Sequence, residues 1–169
     1  MISGRLSKEL RNELRLAKGK NSLIFALGTS HSEITRLIES LGLEAYEIDL
    51  RVEGRRFLKI LYRWEETSEN TVYLAHDISS QFPWILVYIN LHRDLLYDIK
   101  RPVVMIVSLY EIITIQKNAP DFYRFRSRTY DFSDEEAGSS PELLRLGRNS
   151  HAAKAGYLAS KNPEMDDPG

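Results

Sequence analysis

The sequence predicts a three-layer α/β/α sandwich around a mainly parallel sheet of about five strands. Three observations lead to this reading. Short, continuous apolar runs at Ser22–Leu27, Thr71–Ala75 and Val103–Val107 have the character of strands buried on both faces. Segments of helical periodicity separate them. Chain breakers, among them Gly28, Gly42, Pro83, Pro102 and Pro120, fall at the joints. Strand–helix alternation of this kind, within 169 residues, describes one doubly wound domain with loose ends.

Each element follows in order. Residues 1–21 form a basic segment; the first 20 carry six Lys/Arg against two Glu, and Leu6, Leu10, Leu14 and Leu16 suggest an amphipathic helix on the domain edge. Ser22–Leu27 is the first strand. Ser30 and Glu33 then make an S-x-x-E capping box that opens a helix with apolar positions Ile34, Leu37, Ile38 and Leu41 and a stop at Gly42. Ala45–Leu50 is the second strand, completing a β-α-β unit of the right-handed kind. Phe57, Leu58, Leu61, Tyr62 and Trp64 suggest a helix, and Thr71–Ala75 is the third strand, ending at His76 and Asp77. From Pro83 a long helix is expected to turn Trp84, Val87, Tyr88, Leu91, Leu95 and Ile99 to the core. Val103–Val107, a helix over Leu109–Lys117, and a short strand Arg128–Phe132 close the domain at residue 133. Residues 134–169 are rich in breakers and small polar groups, with too little apolar surface to offset their ordering entropy; only Pro141–Leu146 suggests a helical turn.

Composition narrows the function. The chain is 43% hydrophobic and 28% charged with net charge −1, so the whole molecule has no electrostatic pull toward nucleic acid or anionic membrane. It has no cysteine, which excludes disulfides, thiolate catalysis and cysteine-held metals. The first 20 residues lack the apolar core of a signal peptide, and the apolar run Val103–Ile115 is too short to span a bilayer. The expected location is the cytoplasm.

In such folds ligands bind beyond the carboxyl ends of the strands, which directs attention to Gly28–Ser32, Leu50–Glu53, His76–Ser79 and Ser108. The first is where a mononucleotide-binding protein keeps G-x-x-x-x-G-K-[ST], whose backbone N–H groups and Lys cradle phosphates. Gly28 has no second Gly or Lys at that spacing, and no Rossmann G-x-G-x-x-G is present. Gly28, Thr29, Ser30 and Ser32 remain a candidate anion or nucleotide site at a helix N-terminus, beside the plainer role of Ser30 as a cap. Asp77 ends an apolar strand, as the magnesium-holding acid of phosphate-loop NTPases does, but Ile78 follows where a water-activating Glu would stand. His76 has no evident partner set for metal ligation or proton transfer, and no metal site is expected. The stretch Asp121–Arg128 interleaves Arg with aromatics; single-stranded nucleic acid is one reading, and Phe122 and Phe125 packed under outward Arg side chains is the preferred one.

Two stretches carry a resemblance. Ile89-Asn-Leu-His-Arg-Asp-Leu-Leu-Tyr-Asp-Ile-Lys-Arg-Pro-Val-Val-Met-Ile-Val107 and Ala119-Pro-Asp-Phe-Tyr-Arg-Phe-Arg-Ser-Arg128 resemble the AAA-like, P-loop ATPase domains of prokaryotic signal-transduction (STAND-type) NTPases, with an N-L-x-R-(D/E)-x-L helix, an R-P-(V/L)-V strand and an A-P-D-(F/L)-(W/Y)-x-(F/W)-R-S segment. The resemblance covers roughly residues 22–133. It implies a P-loop NTPase-like fold, with Asp77 at the magnesium-binding acid and Ser108 at a sensor position. The phosphate-loop Lys-Ser/Thr and the catalytic Glu are missing, as are the family's helical lid and repeats, so the resemblance is to a degenerate, stand-alone core.

The expectation is therefore a non-catalytic regulatory or protein-interaction module with no resident cofactor, an unspecified oligomeric state, a protein partner, and neither membrane nor nucleic acid as partner. One alternative is a signalling domain that binds ATP or ADP with magnesium weakly and without turnover. Another is a receiver-like or flavodoxin-like domain, although the acidic pair and the Lys that a receiver needs are replaced by Gly28-Thr29 and Ser133-Asp134.

Overall fold

The computed structural model describes residues 2–136. The chain divides into two units, Met1–Ser133 and Asp134–Gly169; the sandwich is the first, and the expected turn at Pro141–Leu146 lies outside the described residues. No helix among the described residues is long and apolar enough to cross a membrane.

The five strands, β1 (Ser22–Leu27), β2 (Glu44–Asp49), β3 (Thr71–His76), β4 (Pro102–Ile106) and β5 (Arg126–Asp131), form one sheet in the order β2-β3-β4-β1-β5. Every pairing is parallel, as expected. The chain leaves β1, crosses to the far edge at β2, then returns through β3 and β4 and passes β1 to reach β5. With right-handed crossovers, the outward connection and the returning ones lie on opposite faces. The helices obey this. Leu10 and Leu14 of α1 (Arg5–Leu16) and Ile34, Leu37 and Ile38 of α2 (His31–Ser40) pack with Ile24, Ala26, Val72, Leu74, Val104 and Tyr130. On the other face lie α3 (Leu50–Glu53), α4 (Phe57–Tyr62), α5 (Trp84–Leu91), α6 (Leu109–Asn118) and α7 (Pro120–Arg124), over Leu23, Phe25, Tyr73, Ala75, Val103 and Met105. The three inner strands β1, β3 and β4 alternate between the two cores with period two, which is why their sequences are mostly apolar, whereas the edge strands β2 and β5 carry polar residues on their exposed positions.

Several local expectations change. Leu16 is 74% exposed, because a residue two positions from Leu14 lies on the opposite side of a helix from the buried Leu10–Leu14 stripe. The helix after Pro83 ends at Leu91, and Arg93–Asp98 is a 3-10 segment. Its buried face is Ile85, Leu86 and Ile89, while Trp84, Val87 and Leu91 face solvent. Since Trp-Ile-Leu-Val-Tyr-Ile-Asn-Leu is apolar on both sides, periodicity alone cannot choose the buried one. Phe122 is fully buried, but its buried neighbour is Tyr123; Phe125 is only partly covered, because α7 ends at Arg124 and the helical spacing from Phe122 stops there.

Two contacts hold the outer elements. Asn90 Oδ1 accepts hydrogen bonds from the backbone N–H groups of Asp121 and Phe122, supplying the cap that Ala119 lacks for α7. On the opposite face Glu13 of α1 accepts from the Ser127 and Tyr130 hydroxyls of β5, and Arg128 pairs with Glu9.

Candidate functional site

The strand order reverses between β1 and β4, so the turns that follow these strands leave toward opposite faces and open a crevice. A cleft of about 260 Å³ lies there, lined by Thr29, Ser30, His31, His76, Asp77, Ser108 and Glu111. Three of the four spots expected from strand ends, after β1, β3 and β4, thus meet in one place. A larger groove of about 500 Å³ lies between α1, β5 and the entry to β1, lined by Glu9, Glu13, Lys20 and Arg128. It is at the amino end of β1, away from the carboxyl ends of the strands, and Glu9, Glu13 and Arg128 serve the α1–β5 contacts there.

The turn after β1 is short, with only Gly28, Thr29 and Ser30 before α2 begins at His31. Gly28 has φ +67°, and a Cβ there would lie 2.4 Å from the backbone nitrogen of Ser133. Glycine is needed for both the left-handed turn and the close approach of the chain leaving β5. The Ser30 hydroxyl accepts from the Glu33 N–H at 3.3 Å, and Glu33 Oε2 accepts from the Ser30 N–H at 3.2 Å and the Thr29 hydroxyl at 3.0 Å. Burial alone would raise the Glu33 carboxyl, but hydrogen bonds led by the Ser30 N–H and the Thr29 hydroxyl prevail and hold it below its ordinary value. A carboxylate therefore occupies the Thr29 hydroxyl and the Ser30 N–H, two of the donors in the turn that an anion here would meet. Ser32 Oγ lies 3.0 Å from Ser30 Oγ.

The far side of the cleft is built the same way. Ser108 caps α6, its hydroxyl accepting from the Glu111 N–H at 3.1 Å, and Glu111 Oε2 returns the bond to the Ser108 N–H at 2.7 Å. The buried Glu111 also accepts from the Ser79 N–H with its other oxygen, at 3.3 Å, tying the turn after β3 to the turn after β4.

Between these turns stands a cluster of titratable side chains. His76, at the end of β3, is buried. Its Nδ1 lies 2.6 Å from Asp77 Oδ2 and its Nε2 2.9 Å from Glu47 Oε1, on the neighbouring strand β2. The same Glu47 oxygen is 3.1 Å from His31 Nδ1, and the two imidazole rings stack with centroids 4.4 Å apart. Asp77 adopts a left-handed backbone conformation at φ 61°, uncommon for a residue with a Cβ. On its outer side Arg51 Nη2 binds Asp49 at 2.8 Å and Arg51 Nε lies 3.7 Å from Asp77. The Arg51 hydrogen bonds hold the Asp49 carboxyl at about 2.

Of the candidates, Thr29, Ser30, Asp77 and Ser108 line the cleft, while Gly28 and Ser32 do not. His31, Glu47 and Glu111 escaped sequence reasoning. The Ser108-x-x-Glu111 spacing repeats the Ser30-x-x-Glu33 capping box and was legible by the same rule. No comparable signal marks Glu47, whose place beside His76 depends on the β2–β3 register.

No family model matches the chain, and no curated protein does. Among solved structures it is similar to a variant of RuvB from Thermotoga maritima, at 12% sequence identity and a TM-score of 0.49, over 75% of this chain and 43% of that one. The chain thus spans less than half the length of that protein. The sandwich itself, with five parallel strands between two helical layers, is consistent with a P-loop NTPase-like fold.

Proposed function

We propose that this domain is a non-catalytic, ATPase-like regulatory module that works by binding a partner protein through the outer face of α5. The observation that carries the reading is the composition of that face. Trp84, Val87 and Leu91 are 42%, 66% and 68% exposed, spaced i, i+3 and i+7 on a helix whose other side is already buried. Among the described residues nothing covers this stripe, and an exposed apolar stripe of this kind marks interaction sites. Its surroundings suit a protein interface: the Trp84 and Tyr88 rings stack at 5.0 Å, and the Arg55 guanidinium lies 5.6 Å above the Trp84 ring. Trp, Tyr and Arg are the residues on which binding energy concentrates.

The non-catalytic part rests on the turn after β1. Three residues separate strand from helix, the phosphate-contacting Lys is absent from the sequence, and Glu33 holds the Thr29 hydroxyl and the Ser30 N–H of the turn. Phosphoryl transfer relies on positioned positive charge to stabilise the transferring group. A degenerate relative of the signalling ATPase cores would keep the sandwich and lose the cradle.

A photoreactive phenylalanine analogue placed at Val87 in the native cell tests the reading, with the exposed Lys59 of α4 as control. The expected result is a discrete crosslinked species at position 87 that position 59 does not give, lost when Trp84→Asp is added. If position 87 captures nothing beyond position 59, the reading fails.

A further inference from the structure

We propose that His31, Glu47 and His76 form a binding site for one divalent transition-metal ion of the zinc class. The inference is independent of the partner-binding reading above. Three elements converge on it: the first residue of α2, the middle of edge strand β2 and the end of β3. Their ligand atoms, His31 Nδ1, Glu47 Oε1 and His76 Nε2, all lie within 4.8 Å of one another. The two nitrogens are 3.1 and 2.9 Å from the carboxylate oxygen. Ligands at about 2.0–2.1 Å around a tetrahedral ion lie roughly 3.3 Å apart, so these separations are close to those of a loaded site. Two imidazoles and one carboxylate also make the donor set of open zinc centres, whose fourth position holds water.

The hydrogen bonding points the same way. A neutral imidazole carries one N–H, yet both nitrogens of His76 face carboxylate oxygens. With Nδ1–H donating to Asp77, the Nε2 lone pair and the Glu47 oxygen face one another, as two ligands of one ion do. Asp77 then plays the part of the outer carboxylate that fixes the tautomer and direction of a metal-bound histidine. The left-handed backbone at Asp77 brings its carboxylate back onto the ring of the residue before it. Access is open on one side only: the His76 side chain is 5% exposed, His31 and Glu47 47% and 44%. The lone pairs of stacked rings lie in near-parallel planes, so His31, the exposed ring, must turn when the ion enters. The neighbouring set Asp49, His76 and Asp77 is also compact, but Arg51 already binds Asp49 through two nitrogens and lies against Asp77, and its charge opposes a second cation there.

The experiment is calorimetric titration of the tag-free, chelator-treated full chain with zinc chloride, with the visible spectrum of bound cobalt(II) as a second readout. One ion per chain is expected. Glu47→Gln and His31→Gln, both at exposed positions that leave the core intact, are expected to weaken binding by at least the roughly 10–100-fold that loss of an outer partner costs, and to abolish the cobalt band. The chain has four histidines, so the double variant His92→Gln, His151→Gln leaves only His31 and His76 and is expected to bind as the unaltered chain does. The proposal is overturned by no binding at all, in which case the two carboxylates beside His76 serve only to hold its ring in place. It is equally overturned if binding survives both Glu47→Gln and His31→Gln, or if Asp49→Asn abolishes it while His31→Gln does not.

Discussion

Asn90 caps α7 from a distance: its Oδ1 accepts the backbone N–H of Asp121 at 2.9 Å and of Phe122 at 3.1 Å. The bond joins the two stretches, Ile89–Val107 and Ala119–Arg128, that carry the sequence resemblance. A side chain of α5 thereby determines where the chain enters β5. Replacing Asn90 with Ala leaves two N–H groups at a helix start without a partner, one of them on the fully buried Phe122. The expected loss is about 1–3 kcal/mol by urea unfolding, from the range for caps and for unsatisfied buried donors. Asn90→Asp, which keeps the acceptor, should recover most of it. A loss within error for Asn90→Ala would show that water serves equally well.

Phe122 is fully buried, with the Phe25 ring edge-on at 6.3 Å, whereas Phe125 is partly covered and meets Tyr97 at 4.3 Å. Phe122→Ala is expected to cost about 3–5 kcal/mol, the range for a buried aromatic, and Phe125→Ala clearly less. Arg124→Ala should fall within about 1 kcal/mol, since its ion pair with Asp121 is exposed. Arg126 and Arg128 lie over the Tyr123 and Tyr130 rings at 3.8 and 4.8 Å, so in this arrangement they cover aromatics of their own chain. Equal losses at positions 122 and 125 would contradict the packing.

Nucleotide should not stabilise the domain. A ligand bound only by the native state at about 100 times its Kd adds ~2.7 kcal/mol, readily seen as a rise in Tm. With Glu33 on the Thr29 and Ser30 donors, Mg·ATP, Mg·ADP and Mg·GTP are expected to leave Tm unchanged and to be hydrolysed no faster than in a buffer blank. A Tm rise that Asp77→Ala removes would replace this reading with the nucleotide-binding one.

The layout of the sheet was legible in the sequence because buried parallel strands announce themselves as apolar runs ended by breakers. The first strand falls at Ser22–Leu27 as expected, and the second and fourth lie within one residue of expectation. The strand-end rule likewise found Asp77 and Ser108 at the cleft. Two things were hidden. The buried side of α5 was not readable, since both of its sides are apolar and only the tertiary structure chooses between them. The histidine cluster was not readable either, since His31, Glu47 and His76 share no spacing and meet only once β2 is laid against β3 in one register.

Tyr130 gives the domain an alkaline limit. Its side chain is fully buried on β5, its hydroxyl donates to Glu13 Oε2, and Arg128 over the ring only partly offsets the effect. Burial first, and then the Glu13 carboxylate, push the phenol well above its usual range. In the unfolded chain a tyrosine titrates near pH 10. Below about pH 10 both states keep the proton and the contribution is complete; above it the unfolded state loses the proton while the native state holds it, so unfolding becomes easier as pH rises. The slope from this one group approaches about 1.4 kcal/mol per pH unit. Tyr73 and Tyr123, raised chiefly by burial, act in the same direction and remain in a Tyr130→Phe variant. That variant should therefore lose about 1–3 kcal/mol at neutral pH, where the bond to a charged acceptor is missing. Between about pH 9 and about pH 11 it should then lose measurably less stability than the unaltered chain. Parallel decline of the two proteins over that interval would mean that Tyr130 is not the residue that sets the limit.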